Sequence, residues 1–250
     1  MRGDILHYSL DFSSITKINY RAAVTFGLES ANIVGYQNAA LKHMGYNFVI
    51  PTFLDVGASD VDLQNIVLKG AAGDMSESIV VYDEDALLSG EQYYWVSEAM
   101  GAPNGDGWYD VNFALVDKQY TIGTGLYLNC ATPGASLQFS GQVYSGTQTN
   151  NLPFVGYNMI GNSTPVPCNI QDIKLVDAVG DMSESIVVYD KDALLSGEQY
   201  YWISSAMGAP NGDGWYDVNF SPVDVTVEPG EGLYLSCPNA GVKWTLPAAL

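Results

Sequence analysis

Histidine is nearly absent from this 250-residue chain, with only His7 and His43, so a Ser-His-Asp or Cys-His relay would have to bring one of the two to a distant nucleophile. Cysteine is scarce as well. Cys130, Cys168 and Cys237 are too few for a disulfide framework and lack the C-x-x-C spacing of a zinc site. One bridge at most can form; Cys130 and Cys237, at matching places in the chain, read as buried strand thiols, and Cys168 to Cys237 is the pairing left open. Bases are few: nine Lys and Arg against 28 Asp and Glu give a net charge of −19. A body this acidic repels phosphate backbones and has no Lys/Arg cluster to offset it, so nucleic acid is not an expected partner. No run of about 18 apolar residues exists, so no membrane-spanning helix is expected.

The chain does have a repeat. Residues 73–130 and 180–237 align without a gap at an offset of 107, with 46 of 58 positions identical. Gly45-Tyr46-Asn47 matches Gly156-Tyr157-Asn158 at an offset of 111, so the first copy carries four extra residues between Thr52 and Asp62. A unit of this length is a whole domain and not a solenoid turn. Within it the signals are short strands and turns: Ser78–Tyr82 is β-branched, Gln92–Val96 aromatic, Gly125–Leu128 a third run. Asn104-Gly105-Asp106-Gly107 supplies the positive φ of a tight turn, and Pro229-Gly230 marks another. Asp85–Leu88 is the one candidate for a helical turn. The expected fold is therefore all-β: two tandem homologous antiparallel sandwich or barrel domains of seven to nine strands, at 30–141 and 142–250, after an N-terminal arm at 1–29.

Gly156-Tyr157-Asn158-Met159-Ile160-Gly161-Asn162-Ser163-Thr164-Pro165 resembles the G-W/Y-N-L-I-G-N-P-x-P segment of bacterial secreted and cell-surface β-domain proteins, and Gly45–Pro51 is a drifted version of it. The order Ser30–Tyr36, then Gly-Tyr-Asn, then a late Gly-Leu-Tyr-Leu strand is similar to tandem exported proteins of that kind. The resemblance implies export, an extracellular or cell-surface location and a sandwich; it implies no catalytic residue. Lys17–Ala31 is faintly like the end of a secretory leader, but it is too short and starts too late, so it is read as retained.

Paired carboxylates such as Asp83 with Asp85 and Asp106 with Asp110, repeated as Asp190, Asp192, Asp213 and Asp217, suit a glycosidase in type. Turns collect Asp for their backbone geometry alone, which is the preferred reading. Calcium is the one cofactor such oxygen-rich turns would take, although no D-x-D-x-D-G loop is present. No catalytic and no dedicated metal residues are expected. Trp108 and Tyr109, with their counterparts Trp215 and Tyr216, are the candidate ring platforms for a glycan, weighed against a place in the core. In residues 4–12, Leu6, Tyr8, Leu10 and Phe12 share one face at period two, the pattern of a half-buried strand. Residues 1–28 hold three bases and two acids, a net of +1, so the remainder carries −20; a slightly positive strand would dock on an acidic neighbour's open sheet edge or fold back on its own first domain. The reading is a non-enzymatic structural protein, a homo-oligomeric subunit of an extracellular filament, tube or layer. The alternative is a secreted carbohydrate-binding or adhesin module.

Overall fold

The computed structural model describes residues 34–41, 44–55, 57–81, 91–187 and 198–248. The arm with Leu6, Tyr8, Leu10 and Phe12, both histidines and the Asp85–Leu88 turn lie outside the described residues. Among the described residues the protein is nearly all β, 49% strand and 6% helix.

The first copy runs β1 Val34–Ala40, β2 Gly45–Val49, β3 Asp60–Asp62, β4 Ile66–Lys69, β5 Asp74–Val81, β6 Gln92–Val96, β7 Gly107–Tyr109, β8 Gln119–Thr121, β9 Leu126–Cys130 and β10 Ser136–Gln142. The second runs β11 Gln148–Asn151, β12 Gly156–Gly161, β13 Cys168–Asn169, β14 Lys174–Val176, β15 Asp181–Val187, β16 Gln199–Ile203, β17 Gly214–Tyr216, β18 Thr226–Val227, β19 Gly232–Cys237 and β20 Lys243–Leu246. Each strand thus recurs ten places later. There are ten per copy among the described residues, and not the seven to nine expected, because the turns break the chain into pieces as short as two residues.

The sheets repeat in the same way, and every pairing between strands is antiparallel. Order β2-β9-β5-β6-β7 becomes β12-β19-β15-β16-β17, β1-β10-β4 becomes β11-β20-β14, and β3-β8 becomes β13-β18. Alternation along the strands sets the inner faces: in β9 Leu126, Leu128 and Cys130 are buried while Tyr127 and Asn129 are half-buried. One buried cluster joins Val49, Ile79, Trp95, Trp108 and Leu128 of the five-stranded sheet to Leu68, Leu137 and Phe139 of the three-stranded one. A separate cluster of second-copy residues, including Ile186, Trp202, Trp215, Leu235 and Trp244, repeats it.

The four extra residues of the first copy fall where the repeat places them, between Thr52 and β3, where Leu54 bridges to Gln142. Cys130, Cys168 and Cys237 are all free, the first and last buried, so the Cys168 to Cys237 bridge is not made.

Candidate functional site

Trp108, Tyr109, Trp215 and Tyr216 are at most 2% exposed, which leaves a sugar no ring face to stack on and corrects their reading as platforms. Their polar atoms are spent inside the fold. Trp108 Nε1 donates to the Ile66 carbonyl at 2.6 Å and Trp215 Nε1 to that of Ile173 at 2.7 Å. Tyr109 and Tyr216 hydroxyls donate to Gly105 and Gly212 and accept from the amides of Asn104 and Asn211, closing the Asn-Gly turns. Trp95 meets Trp108 edge-on at 5.2 Å, and Trp202 meets Trp215 likewise. Period-two reasoning puts Tyr109 on the wet face of β7; here both faces are dry, because Val96, Ala102 and Tyr109, with Met75 beside them, form a second small cluster on that side.

Gln64 explains how β7 is held. Its Nε2 donates to the carbonyls of Trp108 at 2.9 Å and Val116 at 2.7 Å, and its Oε1 accepts from the Trp108 amide at 3.0 Å. The side-chain amide stands in for a neighbouring strand, and Gln171 does the same for Trp215 and Val223.

The acidic turns spend their carboxylates on their own backbone. Asp110 Oδ1 accepts from the amides of Asn112 and Ala114, both at 2.8 Å, and Asp217 repeats this with Asn219 and Ser221. These bonds, the one from Ala114 or Ser221 foremost, hold both carboxyls below the usual range. Asp106 accepts from the Glu98 amide, Asp213 from that of Ser205. Asp83, Asp85, Asp190 and Asp192 lie outside the described residues. Among those described, no three His, Cys, Asp or Glu side chains come together as metal ligands. Burial pushes the Cys168 thiol up to about 12, with Asp172 and Glu231 next in effect, so it is a poor nucleophile at neutral pH.

The Asp110 turn presents what sequence reasoning missed. Phe113, at φ 61°, and Phe220, at φ 63°, sit in the left-handed region, which costs a residue with a Cβ about 1–2 kcal/mol. Both are nearly half exposed, and Val111 and Val218 beside them are 64% exposed. Each copy therefore holds two apolar side chains out on a strained hairpin tip fixed by an Asp. Asp-Val-Asn-Phe recurring intact after Trp-Tyr, with Phe where a tip favours Gly or Asn, is the signal that could have found it.

The second missed feature is the junction between the copies. Tyr46, Tyr127, Phe48, Tyr234 and Tyr157 form one row of neighbouring rings, with centroid separations of 4.5, 5.0, 5.4 and 4.6 Å. The Phe48–Tyr234 step crosses from one copy to the other. Contacts here are reciprocal, as across a two-fold axis. Gln37 Nε2 donates to the Pro229 carbonyl at 2.8 Å, and Asn150 Nδ2, two residues beyond Gln37's counterpart Gln148, donates to the carbonyl of Ile122, the counterpart of Pro229, at 2.9 Å. A Cβ on Gly125 would lie 2.3 Å from Met159 Cβ; one on Gly232 would lie 2.7 Å from Phe48 Cβ.

Two grooves flank this junction at related places. One, of about 290 Å³, has Phe48, Phe139, Glu228 and Glu231 in its walls. The other, of about 380 Å³, lies among Thr121, Thr124, Asn151, Phe154 and Trp244. No helix among the described residues is long and apolar enough to cross a membrane. Comparison with known proteins adds no relative: no family model, no curated protein and no solved structure matches this chain.

Proposed function

We propose that the chain is a non-enzymatic structural subunit of an extracellular or cell-surface assembly, built from two tandem β-sandwich domains. Its contacts are the apolar tips at Val111–Phe113 and Val218–Phe220, together with the N-terminal strand of Leu6, Tyr8, Leu10 and Phe12. The strained, exposed Phe113 and Phe220 carry this reading. Backbone strain of that kind persists where the surroundings enforce it, and it gathers at contact sites; here Asp110 and Asp217 enforce it, and the half-exposed rings gain little from the fold. A chain with two equal contact points is divalent, and divalency is the least a subunit needs to propagate a filament. The resemblance of Gly156–Pro165 to exported β-domain proteins supports the location.

Sedimentation velocity and negative-stain microscopy of the full chain and of a Val111→Asp/Val218→Asp variant test this. The full chain is expected to form regular particles that grow with concentration, while the variant stays monomeric with an unchanged circular dichroism spectrum. A monomeric full chain, or a variant that assembles alike, sinks the proposal. Deleting residues 1–28 asks the same of the strand.

A further inference from the structure

We propose that the groove between Thr121, Thr124, Thr149, Asn151, Phe154 and Trp244 is a binding site for a neutral carbohydrate. This goes beyond the assembly reading and does not depend on it. At about 380 Å³ the groove lies within the roughly 300–1,000 Å³ of small-ligand sites. On a chain with 28 acidic residues, none of its lining residues is charged; three threonines and Asn151 supply hydroxyls and an amide beside the half-buried ring of Phe154, while Trp244, only 2% exposed, and Asn150, bonded to the Ile122 carbonyl, belong to the inner lining. Hydroxyl-rich rings with apolar C–H faces need that combination of short polar groups and flat apolar surface, whereas a phosphate or carboxylate ligand needs cations that are not there.

The two copies differ most at this place. Of the 12 unlike positions between residues 73–130 and 180–237, six fall in the seven residues 118–124, where only Gly123 is shared with its counterpart Gly230. Thr121 and Thr124 become Glu228 and Glu231, so the related groove carries carboxylates where this one carries hydroxyls. Packing explains part of the divergence, since Tyr120 and Val227 are buried. It does not explain Thr121, which is exposed on the groove's rim. The shared glycine has a local reason: a Cβ on Gly123 would lie 2.3 Å from Asn150 Nδ2 and 3.0 Å from Trp244. Its φ of 88° lets the chain lie flat against that ring and shape the groove's wall.

Trp244 also supplies an optical reporter: it is buried in the second-copy cluster with Trp202 and Trp215, as Trp95 and Trp108 are in the first, but it alone of the five borders this groove. The test is calorimetric titration of the full chain with cellohexaose, xylohexaose, maltohexaose and chitohexaose at millimolar concentration, with tryptophan emission followed in parallel. At least one sugar is expected to bind. Asn151→Ala and Thr124→Glu, the latter a residue the second copy already carries at this position, are each expected to weaken it by about tenfold or more without altering the melting curve. Trp244→Phe is expected to abolish the emission change. Absence of heat with all four sugars, or binding that survives both Asn151→Ala and Thr124→Glu, overturns the assignment; those two rim variants decide it even where Trp244→Phe fails to fold.

Discussion

Replacing Gln64 by Glu exchanges one NH2 for one oxygen and reverses two hydrogen bonds at once. Nε2 donates to Trp108 O at 2.9 Å and to Val116 O at 2.7 Å; a carboxylate oxygen there would face two carbonyl oxygens. If the carboxylate stays, two bonds of about 0.5–1.5 kcal/mol each are lost and repulsion is added; if it swings into solvent, the acceptor for the Trp108 amide goes too, and Trp108 is fully buried. Either route costs about 3 kcal/mol. For a unit of about 100 residues each kcal/mol moves the melting temperature by about 4 °C or more, so the first copy would melt about 12 °C early. Differential scanning calorimetry of Gln64→Glu and of the matching Gln171→Glu reads this directly. Were the copies separate cooperative domains, each variant would draw out one early transition and leave the other in place. A shift under about 3 °C refutes the hydrogen-bond argument, and a single undivided transition in both variants refutes the independence of the domains.

Glu77 is fully buried and accepts from the amides of Ala72 at 3.2 Å and Gly73 at 3.1 Å, so Glu77→Gln is expected to cost about 2–3 kcal/mol in urea unfolding, and a loss below about 0.5 would show the turn does not need the carboxylate. Gly232→Ala forces a Cβ to within 2.9 Å of the Phe48 backbone and is expected to cost about 1–3 kcal/mol by the same measurement; a neutral result would mean the junction is not tightly packed. Cys168, raised to about 12, is expected to react with Ellman's reagent at pH 8 far more slowly than in denaturant, and equal rates would contradict its burial. Asp110 and Asp217 have folded pKa values below the unfolded one of about 3.9, so their hold on the tips is complete above that value and lost as pH falls through the folded ones; the Ala114 and Ser221 amide resonances are expected to move with midpoints below it, and midpoints at or above it would remove the basis for the ordered tip.

Local signals were read well where they were local. Gln92–Val96 is a strand with the expected ends, and Gly105 and Gly230 take the positive φ their turns require. β5 begins four residues before its β-branched run, at Asp74, because Met75 adopts φ 70° and shifts the register before Ser78; a methionine in that conformation leaves no mark in the sequence. That Trp108 and Tyr109 are both buried was open in the sequence for a like cause. Alternation tells which side chains share a face but not whether the second face is wet, and Ala102, which helps to cover it, comes from a loop. Gln64 was invisible for its distance, 44 and 52 residues from the carbonyls it holds.

The junction between the copies illustrates the same point from the other side. Nothing in Gln37, Phe48 or Gly125 taken singly announces a reciprocal interface, since each acts on a partner in the other copy. A duplicated chain nevertheless contains a comparison with itself. Positions that must do the same thing twice stay alike, as Trp108 with Trp215 and Asp110 with Asp217. At the junction itself Tyr127 and Tyr234, and Gly125 and Gly232, also stay alike, because reciprocal contacts ask the same of both. The unlike residues at 118–122 and 124 coincide with the segment that lines one groove at Thr121 and Thr124 and the other at Glu228 and Glu231. The differences between the halves therefore point to where their surfaces have taken on different chemistry.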